Sequence, residues 1–206
     1  MSAPQEIVDS LECIIDIFLS GVRHRERAAF ILCDNLVELA CKTKAKQYNH
    51  RFDSTCNFYQ AWNAQGVALP PDSLGRRVQD YREVRNNMQH GSAAATVDVR
   101  YCATAIITAV EVIDHLWVNT STQHIYYWMQ VALKVIRLYS NFYEDTLVRT
   151  PFQDLMRDSK WRSPEQTYVR VNSIPIELGQ RSYWHMAIRI NPQLVEECLR
   201  KVEADI

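Results

Sequence analysis

Arg85, Asn86 and His90 stand together in the segment Arg85-Asn86-Asn87-Met88-Gln89-His90. Their types and spacing suit one kind of chemistry. An imidazole titrates near neutrality and can move protons. A guanidinium holds a phosphate and neutralises charge that develops on it. An amide can fix the geometry of either group. Cleavage of a phosphodiester by its neighbouring 2′-hydroxyl needs these three services and no metal. No Gly-rich phosphate loop, G-x-S-x-G elbow or H-x-x-x-H pair occurs elsewhere in the chain.

The segment must be carried by a helix. Asp72 or Ser73 can cap it, after Pro70-Pro71 has excluded helix upstream, and Gly91 ends it just past His90. At about 100° per residue, Val78, Tyr81, Val84 and Met88 fall within roughly 80° of Leu74 and form a buried stripe. Arg85 lies about 20° from Leu74, inside that stripe. A guanidinium there needs a partner, an interface or an anion, because a dry, unpaired charge is costly. Arg82, Asn86 and His90 follow one another at i, i+4 and i+8, so they stack along one side. The bland alternatives are that Arg85 pairs with Asp34 or Glu38 inside a bundle and that His90 is a cation suited to a helix end.

Further helices are expected around this one. Residues 5–19 carry Ile7, Leu11, Ile14, Ile15 and Phe18 at helical spacing, stopped near Gly21. The pattern continues over 24–46, with Ala28, Ile31, Leu32, Asn35, Leu36, Leu39 and Ala40. Segment 53–65 is polar but holds Phe58, Tyr59 and Trp62. Residues 97–117 and 123–147 are long apolar periodic runs, the second rich in aromatics. Helices of this kind joined by short connections form an all-α bundle over residues 1–150. From 151 to 206 the pattern changes, and a small α+β extension is expected. Segments 166–171 and 183–190 alternate with period two and read as a β-hairpin. A last helix over 192–203 follows Asn191 as N-cap, with Pro192 at its first position.

Arg-Asn-x-x-x-His near the end of a helix, in an all-α bundle, resembles the R-x(4–6)-H motif of HEPN domains. The upstream run from Phe30 to Leu39, with Asp34-Asn35, is similar to the earlier long helix of that family. The resemblance covers roughly residues 5–147. It implies a HEPN-like helical bundle and a metal-independent endoribonuclease that works as a homodimer, two motifs facing one cleft. Arg85 and His90 would be the catalytic pair, supported by Asn86, with products ending in a 2′,3′-cyclic phosphate and a 5′-hydroxyl. The family's frequent service in toxin–antitoxin and antiviral defence systems implies an RNA-cleaving toxin or defence effector, with an antitoxin or regulatory protein as a partner. A different class stands beside it: a non-catalytic module that uses the same cleft to bind RNA, a nucleotide or a protein.

The composition restricts the partners. Formal net charge is −1, so no global positive field draws in nucleic acid and any RNA contact must be local. Arg23, Arg25 and Arg27, opening the second helix, form one candidate RNA-contact patch; Arg82 on the motif helix is another candidate. The same cluster also fits a solvated first turn or the rim of a dimer interface. Tyr126, Tyr127 and Trp128 could stack on bases, but aromatics at helical spacing more often pack in a core. Lys42, Lys44 and Lys46 read as an exposed helix end. The start of the chain lacks a basic stretch followed by an apolar run, and no apolar run is long enough to span a bilayer. Six scattered cysteines without C-x-x-C spacing then suggest reduced thiols and a cytoplasmic chain. No metal and no cofactor is expected.

Overall fold

A computed structural model of the chain describes residues 2–20, 22–67, 73–90, 96–118, 120–141 and 180–204. Its elements are α1 (Gln5–Leu19), α2 (Arg25–Tyr48), α3 (Phe58–Trp62), α4 (Leu74–His90), α5 (Val99–Leu116), α6 (Thr120–Gln123), α7 (Tyr127–Asn141), α8 (Gln180–Ile190) and α9 (Pro192–Ala204). The described residues contain no strand. None of their helices is long and apolar enough to cross a membrane.

The all-α expectation holds over these residues, and most helices lie where their apolar spacing puts them. In α1, Ile7, Leu11, Ile14, Ile15 and Phe18 are buried, as the stripe requires. In α5, Cys102, Ala103, Ile106, Ala109, Val110 and Ile113 are buried, and the Asp98 carboxylate accepts from the Tyr101 N–H at 2.6 Å to cap the first turn. Helices α2 and α5 pack together at the centre, α1 lies on α2, and α7 on α5. Burial of these faces is the main stabilising contribution.

On α2 the buried face differs from the expected stripe. Leu36 and Ala40 are buried, but Ala28, Asn35 and Leu39 are exposed, and Ala29, Phe30, Cys33 and Val37 turn inward. The reason is that α1, α4 and α5 all pack on this helix, and its neighbours set the face. Two further expectations need correction. Segment 53–65 is helical only over Phe58–Trp62. Asp53 instead folds back on Thr55, accepting from its N–H at 2.8 Å and from its hydroxyl at 2.7 Å. That turn offers the backbone an alternative to helix. The helix then starts under a reciprocal cap in which Asn57 and Gln60 bond each other's backbone N–H at 3.0 Å. The second correction concerns 183–190, which is not a strand but most of α8. Ala187 and Ile188 are both buried against the same body of helices. Neighbouring residues of a strand point to opposite faces, whereas neighbours on a helix can share one. The other expected strand, 166–171, lies outside the described residues, as does the expected continuation of α7 to 147. The α9 start is as expected, with Asn191 Oδ1 accepting from the Leu194 N–H at 3.2 Å.

Helix α8 sits on α1 and α7 through a polar seam. Arg189 reaches Asp16 at 3.1 Å and Glu12 at 3.4 Å, and its guanidinium lies 4.8 Å from the centre of the Trp128 ring. His185 Nε2 is 3.6 Å from Asp16 Oδ1, while His185 Nδ1 is buried with no hydrogen-bond partner among the described residues. On α9, Glu196 meets Lys134 and the Tyr127 hydroxyl of α7. Burial, followed by the Arg189 charge, lowers the His185 pKa below its ordinary 6.5, against the pull of Asp16. The folded chain therefore binds this proton less readily than the unfolded chain. Stability from this site is complete above 6.5 and is lost as pH falls below it towards the folded value. Hydrogen exchange over 180–204 is expected to accelerate on acidification through that window, and less so in His185→Gln. Equal acceleration in both would remove His185 as the cause.

Candidate functional site

Helices α2 and α4 run antiparallel, and their shared seam holds the motif. The pairing descends in order: Arg27 with Met88, Asp34 with Arg85 and Arg82, and Glu38 with Arg82. In α4, Leu74, Gly75, Val78 and Met88 are buried, and Tyr81 and Val84 are half-buried. That face packs on α2 and α5. It is the stripe expected from the sequence, and Arg85 lies within it, its side chain only 14% exposed.

The partner that a guanidinium in such a stripe requires is Asp34. Arg85 Nη2 stands 2.8 Å from Asp34 Oδ2, and Arg82 Nη1 contacts both carboxylate oxygens at 3.1 and 3.2 Å. One buried carboxylate, 3% exposed, thus serves two arginines. Burial raises the Asp34 pKa above its ordinary value, with Arg82 and Arg85 pulling the other way. Glu38 binds Arg82 at 3.1 Å and Lys42 at 2.8 Å. Burial opposes its ionisation, but Lys42 and then Arg82 hold its pKa below the usual value. The seam is therefore a ladder of two carboxylates and three cations.

The sequence motif is tied together at its start. Arg85 Nη1 donates to Asn86 Oδ1 at 2.9 Å, and Arg85 Nη2 is 3.5 Å from Asn35 Oδ1. Arg85 Nε is buried with no hydrogen-bond partner among the described residues. Asn86 and His90 are exposed and one turn apart on the same side of α4, which ends at His90. Asn86 therefore links a held guanidinium to the face that carries an accessible imidazole.

The expected RNA contacts fare differently. Arg23 is exposed. Arg82 is not available for a backbone phosphate: it is held by Asp34 and Glu38, and its guanidinium lies 4.0 Å from the centre of the Phe58 ring. Arg25 is 1% exposed, so it cannot belong to a surface patch. Its Nη1 donates to the Phe18 carbonyl at 2.6 Å, and its guanidinium lies 5.2 Å from the Phe18 ring centre and 6.0 Å from that of Tyr139. Arg27 is half-buried and donates to the Met88 carbonyl at 3.1 Å. Arg25 precedes the buried Ala29 and Cys33 by one and two turns, which places it on the inner face of α2. We expect Arg25→Ala to cost about 3 kcal/mol in urea unfolding, because it deletes a buried, hydrogen-bonded side chain. A loss of RNA affinity without a loss of stability would contradict this placement.

Other candidates are structural too. Lys42 pairs with Glu38, and Lys44 lies 5.5 Å from the centre of the Trp117 ring, so neither is a plain exposed helix end. Tyr126 and Tyr127 are exposed, whereas Trp128 is half-buried under Arg189. Cys33, Cys41 and Cys102 are buried free thiols, and Cys13 is an exposed one. Among the described residues, no group of three or more His, Cys, Asp or Glu side chains is arranged to hold a metal ion. The chain matches no family model, no curated protein and no solved structure.

Proposed function

We propose that this chain is a metal-independent endoribonuclease of the HEPN class, with Arg85, Asn86 and His90 at its centre. The observation that carries the reading is the hydrogen bond from Arg85 to Asn86, which joins a guanidinium anchored on Asp34 to the helix face bearing exposed His90. The 2′-hydroxyl of a nucleotide attacks its own 3′-phosphate, and the bond to the 5′-oxygen of the next nucleotide breaks. His90 takes or delivers the proton of this exchange. Arg85 stabilises the charge on the pentacoordinate phosphorus, which is the larger electrostatic contribution. Asn86 orients the guanidinium. The products end in a 2′,3′-cyclic phosphate and a 5′-hydroxyl.

One imidazole per motif suits a homodimer, in which two copies of α4 line one cleft and two His90 side chains divide the roles of base and acid. A place among toxins and defence effectors, acting in the cytoplasm under an antitoxin or regulatory protein, belongs to the same proposal and rests on the family resemblance alone. The test is cleavage of labelled RNA by the purified chain in EDTA. Binding without cleavage would favour the second reading, a non-catalytic module that captures RNA, a nucleotide or a protein. The ion pair between Arg85 and Asp34 is the feature that favours it, since a neutralised guanidinium is less ready to stabilise a transition state.

A further inference from the structure

We propose that Arg27 is a positioning residue that fixes the last turn of α4 and, through it, His90. The kinetic half of this proposal rests on the ribonuclease reading; the structural half does not. Arg25 and Arg27 both lie in the first turn of α2, the positive end of that helix, where a cation is unfavourable for the helix itself. Their charge is used elsewhere. Arg25 donates to the Phe18 carbonyl near the C-terminus of α1, which ends at Leu19. Arg27 does the same for α4: its Nη2 donates to the Met88 carbonyl at 3.1 Å, and α4 ends at His90.

The last four carbonyls of a helix have no donor within it, and Met88 supplies one of them. A guanidinium placed there satisfies an orphan acceptor and complements the negative end of the helix dipole. Met88 is itself 3% exposed, so the turn is gripped from two sides, by its apolar side chain below and by Arg27 at its carbonyl. His90 is exposed, and its side chain makes no hydrogen bond or ion pair with the described residues. Its position therefore depends on the backbone of this turn, and terminal turns fray when their acceptors are unsatisfied. In this role Arg27 is not a phosphate contact, although its position in the Arg23–Arg27 cluster suggests one.

The full chain carrying Arg27→Ala or Arg27→Lys separates the possibilities. Amide exchange over residues 87–90 is read beside cleavage of a short fluorescein-labelled single-stranded RNA of mixed sequence. In Arg27→Ala, exchange in this turn is expected to rise about fivefold, the effect of losing one net hydrogen bond. Turnover is expected to fall at least about tenfold with KM changed less than about twofold, as for a displaced catalytic group. Lysine, which can also donate to a carbonyl, restores part of both. Unchanged exchange in Arg27→Ala would overturn the proposal. So would a raised KM with turnover kept and a shallower salt dependence, the signature of a phosphate contact. If the wild-type chain cuts no RNA, the ribonuclease reading falls, and the exchange measurement alone decides for or against Arg27.

Discussion

His90→Ala is expected to lower the single-turnover rate of RNA cleavage about a thousandfold, within the range attributed to one general acid or base. Because the side chain is exposed at the end of α4, the same change should leave unfolding free energy within about 0.5 kcal/mol of wild type. RNA affinity, read by fluorescence anisotropy in EDTA, should also be little changed, since Arg85 and not His90 supplies the fixed charge. The three readouts together give the expectation its force. A residue that merely suited a helix end would alter stability slightly and rate not at all. A binding residue would alter affinity in step with rate.

The second large effect belongs to Asp34. It is the buried carboxylate on which Arg82 and Arg85 converge. Asp34→Ala leaves Arg82 with Glu38 and Arg85 with the Asn86 amide, removes the carboxylate the two share, and should cost about 3 kcal/mol of unfolding free energy in urea. On the ribonuclease reading, turnover should fall about a hundredfold with it, because Arg85 loses the carboxylate that anchors it. The combination Asp34→Leu with Arg82→Met and Arg85→Met replaces the whole buried ion cluster and should recover much of the stability, as such apolar replacements often do, but not the turnover. Recovery of both would mean that the ion pair is a packing device with no part in the reaction.

The motif helix was legible because its constraints agree. Pro70-Pro71 and Gly91 set its limits, Leu74, Val78 and Met88 set its buried face, and the angle of Arg85 within that face demanded a partner. Asp34 was one of two acids in reach on the neighbouring helix, and the structure selects it. Helices α1 and α5 were equally clear from long amphipathic runs, and Asn191-Pro192 marked the start of α9. Short or ambiguous runs were not. Eight residues from Tyr183 to Ile190 fit a period of two as well as one of 3.6, and only packing of Ala187 and Ile188 on one side decides for helix. Asp53-Ser54-Thr55 carried a readable turn signal that aromatic residues further along obscured.

The basic cluster shows a different limit. Charge at 23, 25 and 27 looks alike in a sequence, yet the three side chains have different fates. Arg23 is exposed, Arg25 is buried on the α1 terminus, and Arg27 is half-buried on the α4 terminus. Placement of two helix ends beside the start of α2 is a tertiary fact, and periodicity within α2 does not contain it. Arg25 lies one turn before the buried Ala29, but apolar spacing put Ala28 on the inner face, so neither the burial of Arg25 nor the partner of Arg27 was legible.

The central claim is chemical, and the most direct measurement is the identity of the ends produced. Wild-type chain is incubated with a labelled single-stranded RNA in EDTA, and the fragments are weighed by mass spectrometry. The expected products are 5′ fragments that end in a 2′,3′-cyclic phosphate and 3′ fragments that begin with a 5′-hydroxyl. Intact RNA, or fragments with 3′-hydroxyl and 5′-phosphate ends that appear only when a divalent cation is restored, would contradict it.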